Sequence, residues 1–241
     1  MIAILHFLGT NCAYDLKNFY DDEGLESILV DANTTSLPSE TSLAILAGGF
    51  SYGDYLRCGA IAARAKSIKA LKDYAQKGGK VLGICNGFQI LCEARMLPGV
   101  LMRNAGLKFI SKDVKLKIES KDNAMLKNYA KDSITLPIAH MEGNYQVDIN
   151  ILEEMKANNQ VLLTYENDIN GAISKIAGIC NKDKNIFALM PHPERAVNKH
   201  HHDHSHHHDL GHTHDHHHHH DHDHAHLSLP SEGREMLLGL A

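Results

Sequence analysis

Apolar residues fall into short runs over the first hundred residues and then alternate singly with polar ones. Residues 1–8, Ser27–Asp31, Leu43–Leu46 and Lys80–Ile84 are runs of strand length closed by Gly, Asn or Asp, as expected of strands buried on both faces. Helical spacing lies between several of them. In residues 67–77, Ile68, Leu71 and Ala75 share one face, and Gly78-Gly79 follows as a stop signal. This rhythm predicts a parallel sheet. After Leu107 the period changes to two: Val114, Leu116 and Ile118 alternate with polar residues, and residues 133–138 and 160–165 read as further strands. Ile176–Cys180 and residues 186–190 read as a hairpin around residues 181–185. The expected fold class is therefore α/β, a single domain with a mixed, mostly parallel sheet flanked by helices. Residues 231–240 predict a last short helix, with Ser231 as N-cap, Met236, Leu237 and Leu240 facing in, and Arg234 and Glu235 facing out.

Composition changes this picture at one place. Residues 200–226 hold 17 of the 20 histidines and 5 of the 29 acids, with no Lys or Arg, so the formal charge of −5 belongs to that segment and the rest is neutral. With almost nothing apolar to bury, this low-complexity tract is expected to be disordered. The chain thus divides into a domain over residues 1–199, a His-rich insertion over 200–226, and a C-terminal helical segment, 227–241, packing on the domain. The tract's imidazoles and carboxylates suit adventitious Ni²⁺ or Zn²⁺. A catalytic metal is not expected from a tract without fixed geometry. A neutral body argues against nucleic acid as partner. No membrane segment is expected, and the N-terminus has no charged region ahead of its apolar run, so a cytoplasmic location is expected. Five scattered cysteines without a Cys-x-x-Cys pair indicate neither a disulfide framework nor a structural zinc site.

One of those cysteines stands in Gly83-Ile84-Cys85-Asn86-Gly87, between the strand 80–84 and a helix expected over 86–95. Such a turn is a nucleophile elbow: the glycines permit close backbone approach, and the side chain projects at the C-terminal edge of the sheet, where substrate reaches it. The helix N-terminus adds partial positive charge, which favours thiolate. Its N–H groups offer an oxyanion hole, with Asn86 as one donor and the loop Gly48-Gly49-Phe50 as the source of a second, through Gly49 or Phe50. Gln89, one turn past Cys85, is placed either to touch substrate or to lie on the helix surface.

A thiol nucleophile needs a base, and the base needs orienting. Three histidines lie outside the tract. His6 is inside the first strand, His140 ends a strand, and His192 stands in Pro191-His192-Pro193-Glu194. Pro193 biases His192 towards an extended conformation, so His192 and Glu194, two apart, project to one side. That makes a Cys85–His192–Glu194 relay possible. Cys12, Cys58, Cys92 and Cys180 read as small packed residues.

The elbow Gly83-Ile84-Cys85-Asn86-Gly87-Phe88-Gln89, together with Pro191-His192-Pro193-Glu194-Arg195-Ala196, resembles the class I (triad) glutamine amidotransferases. Gly48-Gly49-Phe50-Ser51-Tyr52-Gly53-Asp54-Tyr55-Leu56-Arg57, Gly9-Thr10-Asn11-Cys12 and Ile176-Ala177-Gly178-Ile179-Cys180-Asn181 resemble, within them, the glutaminase subunits of phosphoribosylformylglycinamidine synthase. Leu8 and Met141 depart from that pattern, where Pro and Gly are usual. The resemblance implies a flavodoxin-like three-layer fold and Cys85, His192 and Glu194 as nucleophile, acid–base and orienting carboxylate. It also implies L-glutamine as substrate, a large synthetase subunit and a small accessory subunit as partners, and ATP and Mg²⁺ on the synthetase. The chain itself has no Gly-x-x-x-x-Gly-Lys-Ser/Thr phosphate loop, and no cofactor of its own is expected.

Overall fold

Strands that are apolar throughout must be covered on both faces, whereas strands that alternate can leave one face wet. The computed structural model, which describes residues 1–197 and 232–241, follows this division. In chain order its elements are β1 (Ile2–His6), α1 (Ala13–Asp22), β2 (Ser27–Asp31), β3 (Leu43–Leu46), α2 (Lys66–Gln76), β4 (Lys80–Ile84) and α3 (Asn86–Glu93). Then come β5 (Val100–Met102), β6 (Ile110–Ile118), β7 (Ser133–His140), β8 (Asn144–Gln146), α4 (Ile149–Ala157), β9 (Val161–Tyr165), β10 (Ile176–Cys180), β11 (Ile186–Leu189) and α5 (Glu232–Leu240). The His-rich tract and Ser231 lie outside the described residues.

One nine-stranded sheet runs in the order β2-β1-β3-β4-β11-β10-β9-β6-β7. The first five strands are parallel and the rest are added antiparallel. β3 and β11 are buried at every position. In β6, Val114, Leu116 and Ile118 are buried while Lys115 and Lys117 are exposed. The fold is thus the expected α/β domain with a mixed sheet. β5 and β8 pair as a separate two-stranded ribbon that sequence periodicity did not reveal; three residues are too few to show a period of two.

Helix α1 packs on β1 and β2, and α3 on β3, β4 and β11. α3 is buried on every side from Asn86 to Cys92. Two consequences position the site. First, the parallel strands β1, β3, β4 and β11 all end at one edge and deliver there the segments beginning at Phe7, Ala47, Cys85 and Met190, the place where open α/β sheets bind ligands. Second, the antiparallel half curls back. β7 is four places from β11 in the sheet, yet the His192 N–H donates to the Pro137 carbonyl at 2.8 Å. Helix α5 then closes the far side: Glu232 accepts from the Thr135 N–H at 2.5 Å, and the Gly233 N–H donates to the Ala196 carbonyl at 3.1 Å. Met236, Leu237 and Leu240 are buried, with Arg234 and Glu235 exposed.

Candidate active site

Between β4 and α3, Cys85 adopts φ 50°, ψ −104°, a conformation that costs a non-glycine residue about 1–3 kcal/mol and persists where surrounding structure enforces it. Both flanking glycines take part in that enforcement. A Cβ on Gly83 would come within 2.9 Å of the Gly87 backbone, and one on Gly87 would overlap the Leu46 carbonyl, so α3 can approach β3 and β4 only without them. The Cys85 N–H is tied to Leu189 O at 2.8 Å. The Cys85 carbonyl accepts from the Phe88 and Gln89 N–H groups at 3.0 and 3.2 Å. The N–H groups of Asn86 and Gly87 have no acceptor among the described residues.

The expectation that the sulfur stands open is corrected. Cys85 is 5% exposed, because the curled end of β7 reaches over it and sets the Ala139 carbonyl 3.8 Å from Sγ.

His192 and Glu194 are both 2% exposed. Rather than continuing as a strand, the chain enters a 3-10 turn at Pro193–Arg195, which folds Glu194 back beneath the ring. His192 Nδ1 donates to Glu194 Oε1 at 2.6 Å. Burial opposes a charged ring here, but the carboxylate of Glu194 and then the sulfur of Cys85 outweigh it and hold His192 well above the usual imidazole value. Cys12 adds to the same effect. Nε2 has no hydrogen-bond partner among the described residues, and neither does Glu194 Oε2. The two sulfurs favour the protonated ring without completing a bond to Nε2. The ring packs against Gly48, where a Cβ would stand 2.7 Å from His192 Cε1.

The alternative base, His140, is separated from this role by its surroundings. Burial, and next the charge of His192, push it down to about 4. Its Nδ1 faces the Asn104 side-chain oxygen at 3.2 Å instead of a carboxylate. His6 lies edge-on to Tyr14.

In the glycine loop, the Phe50 N–H donates to Gly9 O at 2.9 Å. Of the two expected second donors, Gly49 is therefore the one whose N–H has no acceptor among the described residues. Gly49 has φ +141°, and a Cβ there would meet Gly9 O at 2.7 Å and Asn11 N at 2.8 Å, so the loop requires glycine. The Asn86 side chain clamps this loop to the elbow helix, accepting from the Ser51 N–H at 3.2 Å and donating to Gln89 Oε1 at 2.8 Å. Gln89 is buried, not on the helix surface, and donates to the Glu142 carbonyl at 2.7 Å. Both its polar ends are engaged within the protein.

Two neighbours of the relay were not singled out as site residues by sequence. The Arg195 guanidinium donates to Cys12 Sγ at 3.1 Å, and Cys12 is 1% exposed. Cys12, His192 and Glu194 form a buried group with metal-ligand chemistry. The signal available was their place in the motifs Gly9-Thr10-Asn11-Cys12 and Pro191-His192-Pro193-Glu194-Arg195.

Comparison with known proteins accords with this arrangement. Residues 1–220 match the CobB/CobQ-like glutamine amidotransferase domain. Phosphoribosylformylglycinamidine synthase subunit PurQ of Helicobacter hepaticus is 53% identical over 197 residues, covering 81% of this chain and 89% of that protein. Its counterpart in Campylobacter jejuni is 48% identical, covering 82% and 88%. A chain in the solved structure of PurLQS from Thermotoga maritima superposes with a TM-score of 0.80 at 34% identity, covering 99% of this chain and 96% of that one. The chain belongs to the glutamine amidotransferases and, among them, to the PurQ family of phosphoribosylformylglycinamidine synthase subunits.

Proposed function

We propose that this chain is the glutaminase subunit of a phosphoribosylformylglycinamidine synthase, with Cys85, His192 and Glu194 as its catalytic triad. The observation that carries the triad is the 2.6 Å bond from His192 Nδ1 to Glu194, which leaves Nε2 as the ring's working nitrogen beside the elbow sulfur. Cys85 attacks the side-chain amide carbonyl of L-glutamine. The developing oxyanion takes hydrogen bonds from the Asn86 and Gly49 N–H groups, a contribution of roughly 10²–10³-fold in rate per donor. Nε2 gives its proton to the departing ammonia; the now neutral ring then takes a proton from water, which hydrolyses the γ-glutamyl thioester to glutamate. Gln89 contacts the substrate after exchanging an internal hydrogen bond for it.

The ammonia passes to the large synthetase subunit, which holds ATP and Mg²⁺ and converts formylglycinamide ribonucleotide into formylglycinamidine ribonucleotide in purine synthesis; a small accessory subunit completes the complex. The likeness to a chain of PurLQS supports such an assembly. The complex works in the cytoplasm, as its place in purine synthesis requires; separately, no helix among the described residues is long and apolar enough to cross a membrane. The decisive experiment is Cys85→Ala in the assembled complex. Glutamine-dependent synthesis should be lost and synthesis driven by added ammonia kept; loss of both, or of neither, overturns the assignment.

A further inference from the structure

A second sulfur, that of Cys12, stands beside the ring of His192. Cys12 Sγ, a ring nitrogen of His192 and a carboxylate oxygen of Glu194 all lie within 4.8 Å of one another, and all three residues are buried. Glu194 Oε2 is buried with no partner among the described residues. A Cβ at Gly48 would be 3.2 Å from His192 Nδ1 and 3.4 Å from Cys12 Sγ, so Nδ1 and the sulfur converge on one point. The sulfur already attracts a cation, the Arg195 guanidinium at 3.1 Å, and Arg195 is an exposed residue whose side chain has solvent to move into.

We infer that Cys12, His192 and Glu194 form a binding site for a thiophilic divalent cation of the Zn²⁺ class, and that its occupancy inhibits the glutaminase. Thiolate, imidazole and carboxylate are each zinc donors, and three of them leave a fourth tetrahedral position for water. Metal–ligand distances of about 2.0–2.3 Å place tetrahedral ligand atoms roughly 3.5 Å apart, so Nδ1 and Oε1, now 2.6 Å apart, open by about 1 Å while the sulfur, within 4.8 Å of both residues' ligand atoms, draws in by a similar amount. The ion takes the place of the proton that Nδ1 shares with Glu194. That proton and the Cys12 thiol proton leave to solvent. His192 then loses its orienting carboxylate, and giving up the Nε2 proton would leave an imidazolate. Binding stands on the geometry alone; the inhibition rests on the proposed triad.

The test uses the full chain with Co²⁺ as a spectroscopic substitute for Zn²⁺. Residues 200–226 offer many imidazoles but no sulfur, so a sulfur-to-cobalt charge-transfer band cannot arise there. The band should form in the parent protein and in Cys85→Ser and be lost in Cys12→Ser. The Zn²⁺ concentration that halves glutamine hydrolysis, each variant referred to its own metal-free rate, should rise at least tenfold in Cys12→Ser. Absence of the band in the parent, its persistence in Cys12→Ser, or unchanged inhibition there overturns the inference. Should Cys12→Ser fail to fold, Arg195→Gln decides: it keeps the sulfur and removes the competing cation, so the band must appear at lower cobalt concentration. Failure of the triad is read separately, as glutamine hydrolysis surviving in Cys85→Ala while the band is unaffected.

Discussion

Replacing Gly233 by Ala isolates what α5 does for the site. The Gly233 backbone lies against the turn that carries His192 and Glu194. A Cβ there would overlap the Pro193 carbonyl oxygen and stand 2.7 Å from its carbon and 2.9 Å from Cα, where ordinary contact begins at 3.4 Å. The turn or the helix must therefore retreat by about 1 Å or more, the oxygen setting the requirement. Overpacking of this kind costs about 1–3 kcal/mol, and misplacing catalytic groups by about 1 Å costs on the order of 10²-fold in rate. Helix propensity acts the other way, but at the second residue of α5 it is worth less than the about 1 kcal/mol by which Ala is favoured over Gly in a helix interior. Gly239, on the same helix, separates the two effects: a Cβ there meets Ala124 O at 3.3 Å, a contact relieved by a small adjustment. In the assembled complex, Gly233→Ala should reduce glutamine-dependent synthesis by tens to a hundredfold and leave ammonia-dependent synthesis intact, with the melting temperature lowered by a few degrees. Gly239→Ala should change neither activity. Full glutamine-dependent activity in a folded Gly233→Ala protein would refute the claim that α5 sets the position of the turn.

Two other perturbations probe the relay. Glu194→Gln removes the charge that outweighs burial at His192, so the alkaline limb of glutamine hydrolysis should move to lower pH and the rate fall roughly 10²–10⁴-fold; an unmoved limb would count against the pairing. Because the folded-state value of His192 is raised, the stability it confers is complete below the ordinary 6.5 and is lost as pH rises through the raised value, which denaturation across that window measures. Cys85→Gly relieves the φ 50° strain while deleting the sulfur. It should abolish glutamine hydrolysis and be more stable than Cys85→Ala, which loses the same buried sulfur but keeps the strain, by about 1 kcal/mol; a Cys85→Gly protein no more stable than Cys85→Ala would show that the elbow is not strained.

What the sequence made legible was local. Gly-x-Cys-x-Gly between an apolar run and a helical pattern encodes the elbow because the constraint on Gly83 comes from α3, adjacent in the chain, whereas the constraint on Gly87 comes from Leu46 on β3 and was legible only through the motif. The pairing of His192 with Glu194 was legible as a spacing of two, although the turn that brings them together is 3-10 and not extended. Long-range packing was hidden. Nothing in residues 133–140 says that this strand curls back to cover Cys85, and nothing near Phe50 says that its N–H binds Gly9, 41 residues earlier. Cys12 read as a small packed residue because its cationic neighbour, Arg195, is 183 residues away. The burial of Gln89 depends on the Glu142 carbonyl, equally remote in sequence.

Ala196 and Gly233, 37 residues apart in the chain, are joined by one hydrogen bond, from the Gly233 N–H to the Ala196 carbonyl. Two residues so joined fix the short span that any connection between them must bridge. Excising residues 200–226 and bridging the remainder with a few glycines and serines, or setting an unrelated peptide in their place in the sequence, asks no displacement of Ala196 or Gly233. A protein engineer would find there a place to hang cargo beside a nitrogen-releasing centre.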